Sequence, residues 1–297
     1  MGAIRNRTDM FATALAEAMI RWRWIVILAT ILATVGFAMG MPRLAFDTNY
    51  RAFFSDENPE LAAFENFQAT YTKNDNFLIV VRPADGNVFS QTTLAAVEEI
   101  TEAGWQVPYA IRVDSITNFQ HTWADGDNLI VEDLVRDAHT LSDTELSERS
   151  AVALNEPLLR NQLITEDASV TAINIVLQYP EESAMEVPEA VAVVRALRDR
   201  IEADYPDIDI ALSGVSMMNN AFMESGMGDM AKLIPLMYLV LLAIMMVAIR
   251  SVSGTIATLF LILFSSIVSM GSAGFLAIGL TPVSASAPTI VLTLAIA

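Results

Sequence analysis

The feature that most constrains this chain is an almost uncharged segment at residues 233–297, in which Arg250 is the only Asp, Glu, Lys or Arg. Such a segment cannot form a water-facing surface, whereas each helix that crosses a bilayer core needs about 20 apolar residues. The sequence therefore predicts membrane-spanning helices, separated by the polar break at Arg250 and by Thr281 and Pro282. The three predicted spans are residues 233–249, 255–280 and 283–297.

Charge is segregated along the chain. Residues 42–232 contain 33 Asp and Glu against 12 Lys and Arg, whereas the remaining residues contain 2 against 5. A segment this acidic belongs in water, and its length is sufficient to bury a core of its own. Its negative charge repels nucleic acid and anionic lipid surfaces, so we expect no nucleic-acid partner. The absence of cysteine excludes disulfides and thiolate chemistry.

The N-terminal region is predicted to contain a surface helix followed by a first membrane span. Apolar residues from Phe11 to Trp22 recur at helical spacing, which favours an amphipathic cytoplasmic lead-in over residues 1–23. Residues 24–41 follow as an apolar span with arginine and tryptophan at its start, as is typical of a membrane interface. A cleaved signal peptide is the alternative, although no clear Ala-x-Ala cleavage site is present.

The positions of the arginines predict the orientation in the membrane. Four of them lie between Arg5 and Arg23, ahead of the first span, and Arg250 lies in the loop reached after two crossings. Cytoplasmic loops carry an excess of Lys and Arg, so the N-terminus is expected in the cytoplasm. Residues 42–232 are then outside, in the periplasm of a bacterium with two membranes. We therefore expect a multi-pass protein of the bacterial inner membrane.

Apolar patterning within residues 42–232 predicts two β-α-β units. Two such units make a split β-α-β, ferredoxin-like α+β domain, with the helices on one side of the sheet. Residues 119–168 form an insertion between the units, in which Ser142 and Glu145 have the spacing of a capping box. The predicted elements are strand 76–82, helix 90–103 and strand 111–117, followed by strand 169–178, helix 187–203 and strand 208–212.

No group of residues in the sequence has the pattern of an enzyme site. Asp125, Asp127 and Asn128 resemble the start of a calcium loop, but Leu129 stands at the next ligand position, so a hairpin turn is the better interpretation. The two histidines lie 18 residues apart and lack a second ligand at helical spacing. No nucleotide-binding or nucleophile motif is present. We therefore expect no enzymatic activity, no metal and no cofactor.

The span at residues 255–280 carries a stripe of small and polar residues. It consists of Ser265, Ser269, Ser272, Gly271 and Gly274. Small residues let helix backbones approach closely, so a helix-packing surface is the main interpretation. A polar track for an ion or a substrate is the alternative. In the last span, Pro288 predicts a helix kink.

Four short motifs stand out along the chain: Phe46-Asp47-Thr48, Gly214 four residues before Met218, Arg250-Ser251, and Ala287-Pro288. Together with the order of elements, they resemble the resistance-nodulation-division (RND) superfamily, and within it the MMPL-type predicted exporters. The resemblance extends over nearly the whole chain. It implies a proton-driven exporter of the inner membrane, whose porter domain accepts hydrophobic small molecules or lipids. Relatives carry two repeats of about six helices, with a proton-relay acidic residue in helix four of a repeat.

The chain departs from that pattern in its membrane segment. No Asp or Glu occurs between residues 255 and 297, so the proton-relay acid is not present in these residues. We therefore expect the chain to be the N-terminal part of the first repeat. Its expected partners are membrane lipids, the substrate, and either the remaining helices of the same transporter or further copies of the chain. The alternative is a non-transporting membrane protein that senses lipids or sterols, or acts as a scaffold, with the same fold.

Overall fold

A computed structural model of the chain describes residues 17–44, 58–71, 75–180 and 185–279, together with Thr13, Leu15, Phe54, Glu182, Ser183, Thr281, Ser284 and Ile290. The chain divides into two compact units. One is Thr48–Glu224, and the other joins Met1–Asp47 to Ser225–Ala297. The first unit is α+β, and the described elements of the second are helical.

Seven helices and six strands are described. Two of the strands form a hairpin, and the other four form the main sheet. In chain order the elements are α1 (Arg23–Ala38), α2 (Pro59–Thr70), β1 (Asn76–Pro83), α3 (Gln91–Gly104), β2 (Ala110–Asp114), β3 (Gln120–Asp125), β4 (Asn128–Asp133), α4 (Asp143–Asn155), β5 (Thr171–Leu177), α5 (Glu186–Asp204), β6 (Ile208–Ser213), α6 (Val215–Ile249) and α7 (Val252–Phe275). Short 3-10 helices occur at Met41–Arg43 and Ala138–Thr140.

The main sheet has the strand order β2-β5-β1-β6, and every neighbouring pair is antiparallel. Along β1, Phe77, Ile79 and Val81 are buried, whereas Leu78 and Val80 between them are half-buried. Successive side chains of a strand point to opposite faces of the sheet. One face therefore belongs to the core, and the other face carries Leu78 and Val80.

Helices α3 and α5 pack on the core face of the sheet. Their buried residues recur at helical spacing, as with Leu94 and Ile100 on α3 and Val191 and Ile201 on α5, and all of them join the cluster that contains the inward residues of β1. Burial of each such side chain on folding contributes about 1.5–3 kcal/mol to the stability of the domain. The predicted α+β class is therefore confirmed for this unit, together with its small antiparallel sheet.

Two local predictions for residues 119–168 are confirmed. β3 pairs antiparallel with β4, and Gly126, whose φ is 61°, lies in the turn that joins them. Ser142 and Glu145 form a reciprocal capping box, because the Ser142 hydroxyl accepts from the Glu145 N–H and the Glu145 carboxylate accepts from the Ser142 N–H. This box satisfies donors that the first turn of α4 leaves without helical partners.

Within the described residues, three helices are long and apolar enough to cross a membrane, namely Arg23–Arg43, Val215–Ala248 and Val252–Phe275. Large apolar side chains on them are exposed, including Leu239 at 64% and Val247 at 77%. Exposure on this scale suits contact with lipid, because an apolar helix surface in water is unfavourable. The structure is therefore that of a membrane protein.

The predicted spans 24–41, 233–249 and 255–280 overlap these three helices. α6 begins at Val215, well before residue 233, because the polar residues ahead of the apolar run also adopt helical structure. In the predicted lead-in, residues 17–21 are helical. Thr13, Leu15, Trp22 and Arg23 of the lead-in are also described. Its other residues, and the span 283–297 apart from Ser284 and Ile290, lie outside the described residues.

Candidate ligand cleft and helix contact

A cleft of about 900 Å³ lies in the α+β unit, which we call the sheet cleft. Its floor is Leu78 of β1 and Asn174 of β5, and its edge is Arg112 and Asp114 of β2. The opposite wall comes from the loop that follows α4. The lining residues most relevant to its chemistry are Leu78, Arg112, Asp114, Phe119, Leu158, Gln162 and Asn174.

The register of the sheet explains why these residues meet. Asn174 is directly opposite Leu78 on one side and Asp114 on the other. Residues that face each other across antiparallel strands point to the same face of the sheet. Leu78, Asn174 and Asp114 therefore form one row on the face opposite the core.

The wall formed by the loop after α4, which we call the loop wall, is held by two buried side chains and by a backbone hydrogen bond. Leu159 is 1% exposed and Ile164 is 3% exposed, so both anchor the loop in the core. The Ala172 N–H donates to the Leu163 carbonyl at 2.8 Å, which ties the loop to the start of β5. Leu158, next to the first anchor, is 70% exposed and lies at the cleft. An apolar side chain is thus presented to the cleft from a fixed backbone.

The charges at the cleft cancel each other. Among the described residues that line the cleft, only Arg112 and Asp114 are charged. They pair with each other, because Arg112 Nε donates to Asp114 Oδ2 at 2.9 Å. The Asn174 amide oxygen accepts from Asn76 Nδ2 at 2.7 Å, which fixes the orientation of its amide group. Apolar side chains beside uncharged hydrogen-bonding groups can bind an organic ligand, but they include no nucleophile paired with a base.

Metal binding has no support from the described residues. Within them, no group of three or more His, Asp or Glu side chains is placed to hold a metal ion. Asp127 and Asn128, considered above as part of a calcium loop, belong to the β3–β4 hairpin. No residue of the sheet cleft was predicted as a site residue.

A second polar cluster lies where β5 and the first turn of α6 meet. Tyr179 donates its hydroxyl to Ser216 Oγ at 3.0 Å, and both residues are buried. Burial raises the pKa of Tyr179 to about 12. Asn219 is 6% exposed, and its Oδ1 has no hydrogen-bond partner among the described residues. The sequence did signal this cluster weakly, since adjacent asparagines are unfavourable within a helix.

In the helical unit, glycines bring α1 and α7 into backbone contact. A Cβ atom added to Gly271 would overlap the Phe37 carbonyl oxygen, and one added to Gly274 would overlap the Gly40 carbonyl oxygen. Phe37 also packs against the Phe275 ring in a T-shaped arrangement with a centroid separation of 6.5 Å. Larger residues at these glycines would force the helices apart.

The serines of the predicted stripe are placed differently from its glycines. Ser265 and Ser272 are half-buried, and Ser269 is exposed. Ser272 Oγ donates to the Val268 carbonyl of its own helix at 2.7 Å. The choice between a packing surface and a polar track for the whole stripe stays a prediction, and Pro288 lies outside the described residues. The sequence interpretation missed Ser266, whose hydroxyl lies 3.3 Å from the Tyr238 hydroxyl of α6.

Apolar helices and an α+β unit inserted between them in the chain define a class of membrane protein that carries an α+β domain. Within that class, the family model for the MMPL family matches residues 55–297, and the chain belongs to the MMPL family. Membership indicates an RND-type transporter or a related lipid-associated protein. The resemblance inferred from the sequence is therefore confirmed. No curated protein matches the chain.

Proposed function

We propose that the chain supplies a porter domain and membrane helices to an exporter that the proton-motive force drives. Its substrates are hydrophobic or lipid-like molecules, which it moves across or out of the bacterial inner membrane. The observation that carries this proposal is the MMPL family match, which covers both the α+β unit and apolar helices. The sheet cleft adds support, because a transporter needs a binding site. The proposal assigns the chain no enzymatic activity and no cofactor.

The proposed protein is multi-pass, with a cytoplasmic N-terminus and with residues 42–232 in the periplasm as a ferredoxin-like porter domain. The strand order β2-β5-β1-β6 supports that domain type. β1 and β5, the first strands of the two β-α-β units, are the central strands, as expected when two split units interleave. The acidic composition of residues 42–232 supports their location in water.

Proton coupling requires an acidic group in the membrane. None occurs in residues 233–297, and a further copy of the chain would lack it as well, so the proposal requires one from other helices of the transporter. Those helices are accordingly among the proposed partners, and further copies of the chain are the alternative partners.

Reconstitution of the complete transporter, which is the chain together with the helices that supply the membrane acid, into liposomes tests the proposal. A fluorescent lipid would be loaded in one leaflet, a pH gradient imposed, and transfer to acceptor vesicles followed over time. We expect transfer of the lipid to require the protein and to respond in the opposite sense when the pH gradient is reversed. Transfer should stop when a protonophore collapses the gradient. Transfer at the same rate with and without the gradient would contradict a proton-driven exporter.

The absence of Asp and Glu from residues 233–297 also favours a second candidate, a membrane protein that senses or organises lipids without transporting them. That protein would bind lipid in the same liposomes. It would catalyse no transfer, and collapse of the proton gradient would leave its binding unchanged.

A further inference from the structure

We propose that the sheet cleft binds an uncharged amphiphile, with its apolar chain along the loop wall and its hydroxyl or amide head group at the strand edge. The inference rests on the proposed function in one respect, because it specifies the substrate class of that exporter. Its own observations are the exposed leucine at the cleft, the neutral charge balance of the lining, and hydrogen-bonding groups that are not fully used.

The apolar part of the ligand has a defined location. Leu78 on the floor, Phe119 after β2 and Leu158 on the loop all line the cleft. Leu158 is 70% exposed even though its neighbour Leu159 is buried, so the loop holds an apolar group in water at this point. A ligand that covers Leu158 removes that surface from water, which favours binding.

The polar part of the ligand meets donors and acceptors. Among the described residues, Gln162 makes no side-chain hydrogen bond, and the Asn174 side chain uses only its Oδ1. Arg112 donates through Nε to Asp114, so the two terminal nitrogens of its guanidinium remain as donors. Hydroxyl and amide head groups match this set, because each can donate and accept hydrogen bonds.

The charge distribution selects against charged amphiphiles. Thr48–Glu224 contains 31 Asp and Glu against 10 Lys and Arg, which repels an anionic head group before it reaches the cleft. A cationic head group is attracted to the domain in general, but the carboxylate that lines the cleft, Asp114, is already paired with Arg112, so the cation would lose water there without gaining an ion-pair partner. An uncharged head group leaves the Arg112–Asp114 pair intact.

Photolabelling of the full chain in lipid nanodiscs tests this assignment. The probe is a monoacylglycerol with a diazirine on its acyl chain, and peptides are mapped by mass spectrometry after irradiation. We expect labels on peptides that contain Phe119 and Leu158. Probes with the same chain but a phosphate or a quaternary ammonium head are expected to label these peptides at least about fivefold less.

Two exposed leucines provide a matched pair of variants. Leu158→Glu places a carboxylate on the loop wall, and labelling by the neutral probe is expected to fall at least about tenfold. Leu129→Glu changes a residue that is 72% exposed on the hairpin and does not line the cleft, so labelling is expected to stay unchanged. Because both side chains are exposed, neither change disturbs a buried core.

A third variant tests the charge argument by a gain of labelling. Asp114→Asn frees Arg112 from its ion pair, so labelling by the alkyl phosphate probe is expected to rise about fivefold. Equal labelling by the three probes, equal losses in the two leucine variants, or labels confined to other peptides would overturn the proposal. Gradient-driven transport without labelling of the cleft would contradict only the proposal that the cleft binds the ligand. Labelling of the cleft without transport would contradict only the proposal that the protein is an exporter.

Discussion

At the scale of single residues, the pKa of Tyr179 is shifted by the buried environment of its side chain. Its side chain packs beside the Tyr109 ring at a centroid distance of 5.4 Å, and its hydroxyl donates to Ser216. Burial disfavours the phenolate and raises the pKa to about 12, and the nearby carboxylate of Asp75 acts in the same direction. An unfolded tyrosine loses its proton near pH 10.

Tyr179 is therefore expected to weaken the fold in alkali. Below pH 10 it is protonated in both states, so its contribution to stability is fully present. Between about pH 10 and pH 12 the unfolded state gives up the proton while the folded state keeps it, and that contribution is lost as the pH rises. Tyr179→Phe should remove this part of the decline and cost about 1–3 kcal/mol at neutral pH, because buried Ser216 loses its partner.

Urea midpoints followed by circular dichroism from pH 8 to pH 12 measure the effect. Tyr71→Phe is the control, since Tyr71 is 73% exposed. The Tyr179 variant should show a shallower alkaline decline than the wild type and the control. Parallel declines in all three proteins would show that Tyr179 does not ionise on unfolding in this range.

At the scale of elements, the contact between α1 and α7 depends on residues without a side chain. Gly271→Ala should destabilise the helical unit by about 1–3 kcal/mol, because the new methyl group overlaps the Phe37 carbonyl and the helices must shift. Gly36→Ala on α1 is the matched control, since a Cβ there meets no atom within 4 Å. The thermal midpoint of the protein in detergent is the measurement. Equal midpoints for the two variants would argue against close packing at Gly271.

The strands of the main sheet show what the sequence was able to predict. β1 was expected at residues 76–82 and is found at Asn76–Pro83, because a run of apolar β-branched residues is a local signal. The predicted extension of β2 to residue 117 is wrong. The strand ends at Asp114, since the Asn118 side chain accepts from the Ser115 N–H and turns the chain.

The sheet cleft gave no comparable signal in the sequence. Its floor, edge and wall come from Leu78, Arg112, Leu158 and Asn174, which are distant in the chain and meet only through the register of the sheet. The stripe that contains Gly271 and Gly274 was visible because both residues lie on one helix. Local spacing reveals a helix face, whereas a cleft between strands and a loop depends on tertiary pairing.

At the scale of the whole molecule, the charge pattern predicts how the chain crosses the membrane. A reporter enzyme active only in the periplasm should be active when fused after residue 150, and a fluorescent protein that matures only in the cytoplasm should fluoresce when fused after residue 252. The arginines ahead of the first span and Arg250 give the physical reason. Reciprocal fusions at each site are the controls. Reporter activity in one shared compartment would contradict the proposed topology.

The loop wall of the sheet cleft also bears on how this domain can evolve. Leu159 and Ile164 are buried anchors, while Leu158 and Gln162 beside them are exposed. Substitutions at the two exposed positions alter the shape and polarity offered to a guest molecule and leave the packed interior as it was. Under the proposed assignment of the cleft, diversification of cargo preference among descendants of this domain would need only a few surface changes on a short loop, with no redesign of the sheet beneath it.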